Sequence, residues 1–206
     1  MDATRSWKDL CMLLTDDTTV LAAVSQAVAD PPAYLRDHED ALDERGIDDA
    51  DEVTGTIALV DALMGTGELA YLDWKAASED VAGLLADLPR VQETGIDLDP
   101  AGESQADLEA VVIMVNRLLE PAGLVVIIID EDSDAYPLVA VPLDRLPSIM
   151  DAAEKADATI RLPESPEPET ETESPEESVP PTECGSTDDR TASGTPDKAP
   201  STTGPS

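Results

Sequence analysis

Leu124-Val125-Val126-Ile127-Ile128-Ile129, then Asp130-Glu131-Asp132-Ser133-Asp134, then Tyr136-Pro137-Leu138-Val139-Ala140-Val141, is the stretch that decides the fold. Two short runs rich in β-branched residues, separated by a polar turn, read as a β-hairpin. Pro137 cannot donate to a ladder, so the second strand is expected to lie at an edge there or to be irregular. Downstream, residues 143–156 read as a helix, and Ala158-Thr159-Ile160-Arg161-Leu162 as a closing strand.

Upstream of the hairpin the periodicity is helical. Trp7, Leu10, Cys11, Leu13 and Leu14 fall at helical spacing, as do Val20, Leu21, Val24 and Val28, with Pro31-Pro32 as a stop. Residues 34–45 read as a short charged helix ending at Gly46. Residues 48–64 read as another, with Val53, Ile57, Val60, Leu63 and Met64 as its apolar stripe and Gly65-Thr66-Gly67 as its end. Leu69-Ala70-Tyr71-Leu72 is a short extended segment. Asp73 is placed to cap a helix over residues 74–88, stopped by Pro89. Residues 95–102 read as a loop. Ser104 is placed to cap a helix through Leu108, Val111, Val112, Val115, Leu118 and Leu119, closed by Pro121 and Gly123. The sum is an α+β fold: a helical N-terminal half, then helices packed on a small, mostly antiparallel sheet.

The composition changes sharply at Pro163. Residues 163–206 are rich in Pro, Glu, Ser and Thr and hold almost nothing apolar, so they are expected to be a disordered tail behind a single domain of residues 1–162. Only 2% of the chain is aromatic and Phe is absent, so the core must be built from Leu, Val, Ile, Ala and Met.

The net charge is −34. The tail carries 11 acidic and 2 basic residues, which leaves 35 acidic and 10 basic, a charge of −25, on residues 1–162. Acidity therefore belongs to the domain as well as to the tail. Such a field repels nucleic-acid phosphates and anionic lipid, and it favours a basic protein partner or bound cations; the plainer reading is that the charge provides solubility, or reflects life at high salt. The longest apolar run is far short of the roughly 18 residues that a membrane span needs. Cys11 and Cys184 are too few and too differently placed to staple a fold, and the first residues do not read as a secretory signal. The expected compartment is the cytoplasm.

Three segments carry a family resemblance: Leu69-Ala70-Tyr71-Leu72-Asp73-Trp74-Lys75, the turn Asp130-Glu131-Asp132-Ser133-Asp134-Ala135-Tyr136, and Leu138-Val139-Ala140-Val141-Pro142. Their order and setting resemble the bacterial domain-of-unknown-function 6630 family over about residues 53–162. That family shows a Leu-Asp-Trp-Lys segment opening a helix, and a Ser-Asp-Ser-Tyr-like turn followed by a strand and a helix. Here the turn reads Ser133-Asp134-Ala135-Tyr136, and Ala135 departs from the pattern. The resemblance implies no activity.

Asp130, Asp132 and Asp134 are the candidate metal ligands, because alternating carboxylates at a turn can offer oxygens to Ca or Mg. A calcium loop starting at Asp130 would need Gly sixth and Glu twelfth, where this chain has Ala135 and Val141. The plainer reading is a solvated turn that discourages edge pairing. Trp74 and Tyr136 are the candidate interaction residues. An exposed Trp74 would anchor a partner, but a Trp packed under the start of a helix is the expected arrangement. Gly65-Thr66-Gly67-Glu68-Leu69-Ala70 matches a loose dinucleotide string, yet follows a helix, so a C-cap and turn is the better reading. His38 sits among charged residues and is expected to face solvent. No G-x-S-x-G or other catalytic constellation is present.

These observations favour a non-enzymatic acidic interaction module, immunity-like or inhibitor-like, over a divalent-cation sensor or enzyme built on residues 130–134.

Overall fold

A computed structural model describes residues 3–164. Helices α1 (Ala3–Leu14) and α2 (Thr18–Ala29) are followed by two short helices, α3 (Pro31–Asp37) and α4 (Glu39–Glu44), and by α5 (Gly55–Gly65). Strand β1 (Leu69–Asp73) leads into α6 (Ser78–Ala86), α7 (Pro89–Gln92), α8 (Asp99–Gly102) and α9 (Leu108–Leu119). The hairpin of β2 (Leu124–Asp130) and β3 (Ala135–Pro142), helix α10 (Leu146–Ala156) and strand β4 (Thr159–Arg161) complete the domain.

The sheet is antiparallel throughout, in the order β1-β3-β2-β4. Side chains alternate across a strand, and here both faces are covered. Leu69, Val125, Ile127, Ile129, Val139 and Val141 pack with α1, α2, α5 and α10. Ala70, Leu72, Val126, Ile128, Leu138 and Ala140 pack with α6 to α9. This explains why β2 reads as an unbroken apolar run without alternation: every position from Val125 to Ile129 is buried. Each fully buried Ile there contributes roughly 1.5–3 kcal/mol over leaving it exposed. The result is three layers, helices on both sides of the sheet.

Several boundaries differ from the sequence reading. Pro31 does not merely stop α2 but starts α3. Asp30 donates its N–H to Gln26 O at the end of α2 and accepts from Ala33 N at the start of α3. The helix expected over residues 48–64 begins at Gly55, capped by Thr54 Oγ1 on Ile57 N (3.2 Å). The helix expected at Trp74 begins at Ser78, because Asp73 Oδ1 accepts from Lys75 N (2.9 Å) in a turn of its own. Asp107, not Ser104, caps α9. Residues 95–102 include the short α8. Strand β3 is central, paired on both sides, but Pro137 stands one residue beyond the end of the β2–β3 register at Leu138, where that ladder has stopped. The tail expected to be disordered lies, from residue 165 on, outside the described residues, as does Cys184.

Candidate functional site

The alternation of the strands carries on into the turn at the tip of the hairpin. Ile127 and Ile129 face the layer containing α5, and Glu131 continues in that direction. Its side chain is only 2% exposed. Three donors meet it: Arg45 Nη1 on Oε2 (2.9 Å), and Tyr71 Oη (2.5 Å) and Ser133 Oγ (3.2 Å) on Oε1. Tyr71 arrives from β1, Arg45 from the end of α4 and Ser133 from the turn itself.

Arg45 also reaches α5, with Nη2 2.8 Å from Asp61 Oδ1. Its guanidinium lies 5.3 Å from the Tyr71 ring centroid. Burial works against the Arg45 charge, but Glu131 and Asp61 outweigh it and hold the guanidinium above its ordinary pKa. For Asp61 the balance goes the other way: burial, with the Glu131 charge added, raises its pKa more than Arg45 lowers it. The Tyr71 phenol is raised too, by burial and then by Glu131.

Beside this trio lies an open groove of about 1010 Å³, lined by residues of α2, α3, α4, α5, β1 and the hairpin turn. Its walls include Ala23, Ile57, Ala62 and Met64. Tyr34 lines it while remaining 1% exposed overall. The ring of His38 stacks on Tyr34, centroids 4.2 Å apart, so His38 is half-buried in the groove rather than facing solvent as the charged sequence around it suggested. Burial, with the negative charge of Asp61 adding to it, pushes the Tyr34 phenol up to about 12.

The three candidate metal ligands are all exposed. Asp130 Oδ1 accepts from Asp132 N (3.0 Å), and Asp132 takes a left-handed backbone, φ 58°. Among the described residues, no three acidic, His or Cys side chains are gathered as a cation cluster. The carboxylate of this turn that other residues converge on is Glu131, passed over by the sequence reading. Its signal was parity: it is two residues on from Ile129, on the inward face.

Trp74 is 53% exposed, not packed beneath a helix start, because that helix begins four residues later. Lys75 Nζ lies 4.6 Å from its ring centroid. Tyr136 is half-buried and bound into a different assembly. Its hydroxyl donates to Glu109 Oε1 (3.3 Å), and Arg161 grips Glu109 with Nη1 at 3.1 Å and Nη2 at 2.9 Å. Glu164 N adds a bond to Glu109 Oε2 (2.6 Å). Tyr136 thus fastens β3 to α9, at the carboxylate through which Arg161 fastens β4. Trp74 and Tyr136 are not lining residues of the groove. The Gly65-Thr66-Gly67 string is a helix end, with Gly67 at φ 73°.

An antiparallel sheet between two helical layers, with a groove at the hairpin end holding one guanidinium between two carboxylates, defines a three-layer α+β domain. The chain belongs to the family described as Domain of unknown function (DUF6630), whose sequence profile matches residues 6–163. The match extends well upstream of the three segments that first carried the resemblance. No curated protein and no solved structure matches the chain. Among the described residues, no helix is long and apolar enough to cross a membrane.

Proposed function

We propose that this domain is a non-enzymatic interaction module that binds a basic protein partner in the cytoplasm. The observation that carries the reading is the charge of the groove. Glu44, Asp61 and Glu131 line it against a single guanidinium, Arg45, and that guanidinium is already bonded to two of the three. The lining therefore keeps an excess of acceptors, set in a domain whose own charge is −25 over residues 1–162. Complementary charge speeds encounter and selects partners more than it adds affinity. The one thiol in the described residues, Cys11, is buried, and burial raises its pKa to about 12, which suits a packing role and not a nucleophile.

The test is affinity capture on the immobilised domain at low salt and at physiological ionic strength, with the retained proteins identified. Basic proteins retained at low salt, with a subset surviving physiological salt, are the expected result. Retention of nothing at either salt removes the reading.

A further inference from the structure

We propose that the groove receives a lysine side chain of the basic partner, its ammonium seated between the Tyr34 hydroxyl and Asp61; the inference rests on the interaction-module reading above. Two groups with acceptors to spare point there. Tyr34 is 1% exposed as a residue and lines the groove, and its hydroxyl, which is not fully buried, makes no hydrogen bond to another described residue. A ligand donor can take the place of groove water at such an oxygen. Asp61 spends Oδ1 on Arg45, while Oδ2 has no ion-pair partner among the described residues. Burial first, and then the charge of Asp61, keep the Tyr34 phenol neutral, and the hydroxyl oxygen is able to accept.

The shape of the ligand follows from the walls. Ala23, Ile57, Ala62 and Met64 offer apolar contact for an aliphatic stem that carries a charged head. The head is an ammonium and not a guanidinium, because the free acceptors are single oxygens on separate groups. They suit a compact charge with three rotatable donors, whereas the planar fork of an arginine needs both oxygens of one carboxylate, and Asp61 has only Oδ2 left beside Arg45. A hydroxyl and one carboxylate oxygen are too few for a calcium ion, which takes six or more oxygens. The remaining charge in the lining repels an anion.

Isothermal titration and backbone amide shift mapping of the whole chain with octalysine, octaarginine and fully acetylated octalysine, at physiological salt and again at low salt, test the proposal. Octalysine is expected to bind with shifts at Tyr34, His38 and Asp61, and the acetylated peptide is expected not to bind. Tyr34→Phe keeps the packed ring and removes only the hydroxyl, and is expected to weaken octalysine about fivefold. Asp61→Asn is expected to weaken it about tenfold, against less than about twofold for the charge-matched, exposed Asp144→Asn. Unchanged affinity in Tyr34→Phe, or equal weakening by Asp61→Asn and Asp144→Asn, overturns the groove while leaving the acidic module standing. Octaarginine binding as tightly with the same groove shifts overturns the choice of lysine. No octalysine binding, even at low salt, overturns both.

Discussion

Gly55, the first residue of α5, lies directly against the face of Trp7. A Cβ added there would stand 2.5 Å from Trp7 Cε2 and 2.6 Å from Cζ2. Two effects of Gly55→Ala oppose one another. Helix propensity favours Ala by roughly 1 kcal/mol, but forcing a methyl against a rigid, buried ring costs about 1–3 kcal/mol. Overpacking wins, because a ring that is 6% exposed among α1 neighbours has nowhere to move. Thermal unfolding of Gly55→Ala should show a melting temperature lower by about 2–4 °C per kcal/mol lost; an equal or higher one would mean that the ring yields. At this scale the sequence was hardest to read. Alternating aspartates drew attention to Asp130, Asp132 and Asp134, whereas the side chain with three donors is Glu131. Its inward direction was available from the parity of Ile127 and Ile129. Its partners were not: Arg45 and Tyr71 are 86 and 60 residues away, and nothing in one sequence links positions so distant.

At the level of elements, β-branched runs and breakers did most of the work. The hairpin, its acidic turn and the closing strand lie where residues 124–162 place them, since a strand buried on both faces leaves an apolar run that few other structures use. Helix starts were less legible. Ser104 and Asp107 are both able caps, and only packing against α6 and α8 decides for Asp107. One device could not be read at all. Strand β4 covers β2 only from Ile128 to Asp130. Upstream of it, Asn116 of α9 takes the place of a strand: Oδ1 accepts from Val126 N (2.6 Å) and Nδ2 donates to Val126 O (3.1 Å). Replacing it by the near-isosteric Leu leaves both backbone groups without that partner, with α9 still covering them. Asn116→Leu should therefore cost about 1–3 kcal/mol for the stranded pair. Hydrogen exchange reads the effect locally, as faster exchange at the Val126 amide than at Val139 in the centre of the sheet. Unchanged protection at Val126 would show that water replaces Asn116 there without loss.

At the scale of the molecule, the question is whether a charge of −34 is borne passively or opposes the fold. Attraction is scarce. Among the described residues Arg45 holds a largely buried trio, Arg161 a half-buried clamp on Glu109, Arg90 a long 3.9 Å pair with Glu68, and Lys155 an exposed partner in Asp151, worth only about 0–1 kcal/mol. Repulsion is spread over the surface and is felt at long range, since the Debye length is about 30 Å at 0.01 M salt and about 10 Å at 0.1 M. Salt therefore screens far more repulsion than attraction, and the melting temperature at neutral pH should rise between those concentrations. A fall would mean that the few ion pairs dominate. Acid adds two opposing contributions. Asp61 has a raised folded pKa, so the stability tied to its protonated form is complete below its unfolded pKa and is lost as pH rises through the folded one. Glu109 has a lowered folded pKa: burial alone would raise it, but the bonds from Arg161, Glu164 and Tyr136 outweigh that. Its contribution is complete above its unfolded pKa and is lost as pH falls through the folded one. Mild acidification from neutrality should thus stabilise the domain at low salt, as Asp61 takes up a proton, and stability should turn down once Glu109 begins to protonate. Glu109→Gln fixes the assignment. It should destabilise the domain near neutrality and shrink the acid-side decline, because the charge whose loss drives part of that decline is already gone. A decline of the same size in the variant would place its cause in other carboxylates.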